Sequence, residues 1–237
     1  MKLFVAALAM ICLVVILFVP PMPLTHVECI QDLVQDSFQG QFDYLKTNTK
    51  VRNWLLIVFG ALTDFIFIVF MLQWVHYGGS WRFVLSLCLT YALRLILCKV
   101  FYLQQPKGGD LWTFPGFYSL TVQYGTSNDY YFNPVMAICT QLFFEFRQLN
   151  QSFFKWLSLV TLFGEFYLSL CLKGHYLIDN YGGIIIGYQI WSMTGNYLCY
   201  YIDVQLFGLT LHERFPRGKG IQLNCQKCKT PINQWVQ

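Results

Sequence analysis

Charged side chains are scarce in this sequence, at 12% of the 237 residues, whereas 56% of the residues are hydrophobic. Ordinary soluble domains carry about 25% charged residues, so water is not the main solvent for this chain. The sequence also has no long basic run and no interleaving of basic and aromatic residues of the kind found on nucleic-acid-binding surfaces. These shortages predict an integral membrane protein and argue against nucleic acid as a partner.

The cysteines do not form the pattern of a disulfide scaffold. The nine cysteines are spread along the chain, and most of them lie inside apolar stretches, where Cys behaves as a small hydrophobic residue. Cys225 and Cys228 make a lone CxxC pair, which offers two ligands where a structural zinc site needs four. Reduced thiols or a local disulfide are therefore favoured there, and we expect neither a metal site nor a cofactor.

Six apolar stretches are candidates for transmembrane helices, because a bilayer core needs about 20 apolar residues per helical span. The first follows Met1 and Lys2 as a signal peptide would, but no small-x-small cleavage site precedes Pro20, so we predict a retained helix. A membrane domain is thus expected over residues 1–201 and a polar tail over residues 202–237. The predicted spans are 3–19, 54–74, 83–103, 134–146, 153–172 and 177–201.

The distribution of Lys and Arg predicts the orientation of these spans, because cytoplasmic loops carry the excess of both residues. With six spans, the termini share the more basic side, so both should face the cytosol, or the matrix in a mitochondrial inner membrane. The loop 24–52 and the turn at His175 then share the opposite face. In the sixth span, the spacing of Gly182, Gly183 and Gly187 predicts the close approach of a neighbouring helix.

The sharpest chemical pattern is His175 followed by Asp179, four residues apart at the start of a predicted helix. This spacing places both side chains on one helical face. A carboxylate beside an imidazole fixes its tautomer and stabilises its charged form, as a nucleophilic or basic His requires. The alternative is structural: His175 lies at the membrane interface, and Asp179 interacts with the helix dipole.

The run 175–179, His-Tyr-Leu-Ile-Asp, resembles the His-Tyr-Thr-Ile-Asp motif of the sphingomyelin synthase-related family, a branch of the phosphatidic-acid-phosphatase-like superfamily. This resemblance implies an all-α integral membrane protein whose six transmembrane helices form a lipid phosphatase/phosphotransferase-like bundle. It also implies that His175 attacks the phosphorus of a phospholipid headgroup and that Asp179 orients it. Further stretches agree in order, namely 19–24, 92–94 with Arg94 as a possible phosphate ligand, 105–106 and 129–132.

One part of the family's site is missing from the sequence. In that family a second His, in a Ser-Gly-His-Thr motif, protonates the leaving alkoxide. This chain has Asn133, Pro134 and Val135 in place of Ser-Gly-His. Loss of a positioned general acid costs about 10²- to 10⁴-fold in rate. Asn is a favoured N-cap and Pro a favoured first helical residue, so the degenerate motif predicts a helix start.

Ionisable residues inside predicted spans are paired or functional by default. We expect an ion pair between Asp64 and Arg94, with the lipid-phosphate role of Arg94 as the alternative. Glu165 has no evident partner in the sequence, and Lys99 or another subunit could provide one. Glu145 and Arg147, at the end of the short fourth span, are expected to reach the membrane interface.

Two functions are compatible with this sequence. The first is a non-catalytic relative of the lipid phosphotransferases that serves as a structural or lipid-binding subunit of a membrane assembly, with membrane lipids and other membrane proteins as partners. The second is an active enzyme that uses His175 to transfer a phosphocholine, phosphoinositol or phosphoethanolamine headgroup to ceramide or another lipid alcohol. The missing acid favours the first. Either would be a multi-pass protein of an endomembrane or the mitochondrial inner membrane.

Overall fold

The computed structural model describes residues 32–77, 80–100, 111–124, 132–199 and 201–206. Within these ranges the chain consists of helices, turns and loops and contains no strand. The first predicted span, the run 19–24 and nearly all of the predicted tail, including Cys225 and Cys228, lie outside the described residues.

Seven α-helices and two π-helical turns occur in the described ranges. Two short helices, α1 (Leu33–Ser37) and α2 (Gln39–Thr47), precede the long α3 (Thr49–Tyr77) and α4 (Arg82–Val100). After an irregular segment, 111–124, the chain forms α5 (Pro134–Gln148), α6 (Ser152–Cys171) and α7 (Leu177–Met193). The π-helical turns Thr194–Leu198 and Tyr201–Leu206 follow α7.

The all-α prediction is confirmed for the described residues, and helices form at the last five of the six predicted spans. Two of these helices, over Thr49–His76 and Ser152–Cys171, are long and apolar enough to cross a membrane. The former begins earlier than predicted, because the polar residues 49–53 continue the helix beyond the apolar run. The described part of the protein is therefore all-α with two candidate membrane spans, and the count of six stays a prediction.

Helix α5 lies at the centre of the bundle. It packs most extensively against α6 and α7 and also contacts α3 and α4. Eleven of its 15 residues are buried, on all sides of the helix. A helix of 15 residues is about 22 Å long, shorter than the roughly 30 Å of a bilayer core. The surrounding helices bury α5 on all sides, so this short helix is enclosed by protein.

Two glycines of α7 allow it to approach α5 closely, as their spacing predicts. A methyl group built on Gly183 would overlap the carbonyl oxygen of Asn133 and lie 2.8 Å from the Cβ of Met136. One built on Gly187 would lie 2.7 Å from the Cα of Ala137. The packing of α7 on the start of α5 therefore depends on the absence of side chains at these two positions.

Helices α1 and α2 fold over the end of the bundle at which α6 stops and α7 begins. The side-chain amide of Gln35 donates to the carbonyl oxygen of His175 at 2.6 Å. Lys173 donates to Oε1 of Gln39 at 3.0 Å, and its ammonium group lies 5.1 Å from the ring centroid of Phe42. The described part of the predicted loop, from residue 32 onward, and the His175 turn thus lie at the same end, as the sequence predicts.

Candidate functional site

His175 lies in the tight turn that connects α6 to α7, and it is largely buried. The turn is closed by the backbone amide of Gly174, which donates to the carbonyl oxygen of Ser169 at 2.8 Å. The carbonyl of His175 is in turn held by Gln35 from α1. The turn is therefore held by contacts with the preceding helix α6 and with the covering helix α1.

The indole ring of Trp112 packs edge-on against the imidazole of His175, with 6.3 Å between ring centroids. Trp112 donates through Nε1 to the carbonyl oxygen of Gln123 at 2.9 Å. A methyl group at Gly174 would lie 2.7 Å from the same indole, so only glycine fits next to His175. The irregular segment 111–124 therefore forms one wall of the predicted site.

Asp179 is fully buried in the first turn of α7. Its Oδ2 accepts the backbone amide of Tyr176 at 2.9 Å. The next amide, that of Leu177, donates to Oδ2 of Asp32 at 2.7 Å, while Oδ1 of Asp32 caps α1 through Val34 at 3.0 Å. Each of the two carboxylates thus accepts one free amide at the start of α7. Their negative charges also interact favourably with the helix dipole. Asp179 thus caps the first turn of α7.

Asn133 and Pro134 begin α5 as the sequence predicts. Asn133 is the N-cap, and its Oδ1 accepts the amide of Val135 at 3.0 Å. Its side-chain amide donates to Oδ1 of Asn180 at 2.9 Å, and Asn180 donates to the hydroxyl of Ser169 at 2.8 Å. Helices α5, α6 and α7 are therefore joined at this end by one buried chain of hydrogen bonds.

The side chain of Val135 is buried in a hydrophobic cluster formed by α2, α3, α5, α6 and the 111–124 segment. Trp112, which contacts His175, belongs to the same cluster. The degenerate motif is thus a cap followed by a core residue. Valine offers no proton, so position 135 provides no general acid next to the His175 turn.

Asp64 and Arg94 have different partners, and the expected ion pair between them is not what holds Asp64. The carboxylate of Asp64 accepts the hydroxyl of Thr121 at 2.7 Å and the backbone amides of Leu120 and Thr121 at 2.9 and 3.0 Å. Arg94 donates to the side-chain oxygen of Gln123. Both side chains therefore hold the 111–124 segment, and they hold it at neighbouring positions.

Sequence reasoning missed this anchoring role of Asp64. The residue lies in the middle of α3, and the irregular stretch 119–124 runs beside it. Tyr124 donates its hydroxyl to the carbonyl oxygen of Leu56 at 2.9 Å. Burial raises the pKa of the Tyr124 phenol, which therefore stays a neutral hydrogen-bond donor. Non-helical backbone that is buried in a helical bundle requires such partners. The only sequence signal was the unexplained carboxylate in an apolar run.

The expectation that Glu145 reaches the membrane interface stays a prediction, but the structure identifies the partners of its carboxylate. Glu145 is buried, and its carboxylate accepts two hydrogen bonds from Arg82 at 2.6 and 2.5 Å and one from Trp191 at 2.9 Å. Arg147, two residues further along α5, is exposed. Residues 145 and 147 point to opposite sides of the helix, so burial of one exposes the other.

Glu165 is buried in α6, and the hydroxyl of Thr63 lies 3.5 Å from its Oε1. The side chain of Lys99, which the sequence suggested as a partner, lies outside the described part of the structure. No group of three His, Cys, Asp or Glu residues suited to a metal ion occurs among the described residues.

No protein-family model, no curated protein and no solved structure matches this chain. The relation to the sphingomyelin synthase-related family therefore stays a prediction carried by the motif at 175–179. What the structure itself defines is a class of protein: an all-helical bundle in which His175, Asp179, the start of α5 and the 111–124 segment meet at one end.

Proposed function

We propose that this chain is a non-catalytic relative of the lipid phosphotransferases, a multi-pass protein of six spans that serves as a structural or lipid-binding subunit of a membrane assembly. The observation that carries the proposal is the burial of Val135 in the core at the motif position of the second catalytic His. An alkoxide leaving group needs a proton. Loss of the general acid that donates this proton lowers the reaction rate by about 10²- to 10⁴-fold.

The outward surface of the bundle supports a membrane location. Large apolar side chains on α3, α4, α6 and α7 are exposed over the length of these helices, whereas soluble monomers rarely expose extended apolar surfaces. The most exposed of them include Trp54, Leu72, Ile96, Phe153, Phe163, Ile178 and Ile185. Lipid tails and neighbouring membrane subunits are the partners that would cover such a surface.

A lipid-binding role is supported by the contacts that connect Arg94 with His175. Arg94 donates to Gln123, Gln123 accepts from Trp112 through its carbonyl, and the ring of Trp112 contacts His175. Arg94 and His175, whose side chains can both bind anionic oxygen atoms, thus contact the same segment, 111–124. The planar guanidinium group is suited to phosphate, so the proposed ligand is the phosphate of a phospholipid headgroup.

Native mass spectrometry of the detergent-extracted protein tests this function. We expect the protein to retain phospholipid and to co-purify with other membrane chains. The Arg94→Gln protein should lose the lipid, whereas Arg147→Gln, which removes an exposed guanidinium, should retain it. A lipid-free monomer would contradict the proposal, and so would equal retention by both variants.

A further inference from the structure

A line of polar residues runs along α4. Arg82, Ser86, Thr90 and Arg94 are spaced four residues apart, which places one of them at each turn on the same side of the helix. Ser86 and Thr90, in the middle of the line, are fully buried. Apolar residues normally fill such positions in a helical bundle, so the two hydroxyls need a physical explanation.

Two direct contacts join this side of α4 to α5. Arg82 binds Glu145 at one end, and the side-chain amide of Gln141 donates to the hydroxyl of Thr90 at 2.7 Å. The contacts are eight residues apart on α4, about 12 Å of helix, but only four residues apart on α5, about 6 Å. Ser86 lies midway between Arg82 and Thr90 on α4, and therefore between the two contacts.

Two polar atoms at this interface have no partner among the described residues. They are the hydroxyl oxygen of Ser86 and the side-chain oxygen Oε1 of Gln141, and both residues are fully buried. The hydroxyl proton of Thr90 is donated to the carbonyl oxygen of Ser86 at 2.8 Å, so Thr90 does not donate to Gln141. Buried polar atoms are nearly always hydrogen-bonded, and ordered water is the usual partner where protein atoms are not.

We infer that the α4–α5 interface is a water-binding site, in which at least one ordered water bridges Ser86 and Gln141. Ser86 can donate and accept, while Oε1 of Gln141 only accepts, so the ligand must have both donors and acceptors. Arg82 and Glu145, the charged residues one turn from Ser86 and Gln141, neutralise each other, so a neutral ligand fits the space between these two residues better than an ion does. The site lies away from the His175 turn and does not depend on the proposed function.

Radiolytic hydroxyl-radical labelling of the intact, detergent-solubilised protein tests this inference, because X-rays generate radicals from waters bound inside a protein as well as from bulk water. Leu87 and Leu142, which follow Ser86 and Gln141, are buried, as is Leu168 in the hydrophobic cluster around Val135. We expect faster labelling of Leu87 and Leu142 than of Leu168. Equal labelling of the three leucines would overturn the inference.

A single substitution provides a second test of the inference, through its effects on the labelling of Leu87 and on Tm. The Ser86→Ala protein should show slower labelling of Leu87 and a lower Tm, because it loses a bridged hydroxyl. In a dry interface the same change removes an unsatisfied group and raises Tm, a result that would overturn the inference. Ser158→Ala is the matched control, since the buried Ser158 donates to the carbonyl of Phe154 within its own helix; it should leave the labelling of Leu87 unchanged.

Discussion

Asn133 donates its side-chain amide to Oδ1 of Asn180 at 2.9 Å, while its own Oδ1 caps α5. One side chain thus accepts a hydrogen bond from a free backbone amide at the start of α5 and donates one to the first turn of α7. Both residues are buried, so the hydrogen bond is shielded from water. At the position where the family resemblance implies the serine of a catalytic motif, this protein has a residue that fixes the geometry of the bundle.

The Asn133→Ala substitution is expected to destabilise the protein by about 2–4 kcal/mol. Loss of an N-cap costs about 1 kcal/mol, and a buried Asn180 left without its donor adds about 1–3 kcal/mol. Thermal unfolding in detergent measures the change. Asn53→Ala, at a half-buried position in α3 whose side chain accepts only from the neighbouring Arg52, should change the stability much less.

The close packing of α5 against α7 predicts that two glycine substitutions differ in their effect on Tm. Gly183→Ala should lower the Tm, because the new methyl group must displace the backbone of Asn133. Gly40→Ala, in α2, adds a methyl group with no atom within 4 Å and should be neutral or stabilising by up to about 1 kcal/mol. Similar Tm values for the two variants would show that α7 can shift without cost.

Removal of the Asp64 carboxylate should release the 111–124 segment. In the Asp64→Ala protein, the amides of Leu120 and Thr121 lose their acceptor and should exchange with solvent deuterium faster than in the unmodified protein. Hydrogen-exchange mass spectrometry measures this directly. Asp43→Ala, on the exposed side of α2, is the control and should leave the exchange of this segment unchanged; equal protection in the Asp64→Ala protein would contradict the anchoring role.

Local features were predictable from the sequence. The start of α5 followed from Asn133 and Pro134, whose cap and backbone preferences act within a few residues. The close approach of α7 followed from the spacing of Gly183 and Gly187, because residues four apart share a helical face. The helices themselves followed from apolar runs of sufficient length, and their ends differ from the prediction by a few residues where polar residues continue the helix.

Contacts between distant segments were not predictable. The sequence indicated no partner for Glu145, but it binds Arg82, 63 residues earlier. Asp64 was expected to pair with Arg94, but it binds residues 119–121, which lie 55 to 57 residues further along the chain. When a helix is apolar on nearly all sides, the sequence does not indicate which side faces a given neighbour. The rotation of each helix decides these partners, and packing of the whole bundle decides the rotation.

The six-span topology predicts that the two ends of the bundle lie on opposite sides of the membrane. In a protein without native cysteines, Lys46→Cys on α2 and Arg147→Cys at the end of α5 should react with a membrane-impermeant maleimide from opposite sides of sealed vesicles. Both positions are exposed. Labelling of both from the same side would show that the number of spans between them differs from the prediction.

The most direct test of the non-catalytic account is headgroup transfer by the purified protein in liposomes that contain a labelled phospholipid donor and ceramide. The account predicts that the unmodified protein and His175→Ala give the same background, because Val135 cannot supply the proton for the leaving alkoxide. Phosphocholine, phosphoinositol and phosphoethanolamine donors should all behave alike. Turnover that is well above background in the unmodified protein and is abolished by His175→Ala would contradict the account and establish the enzyme.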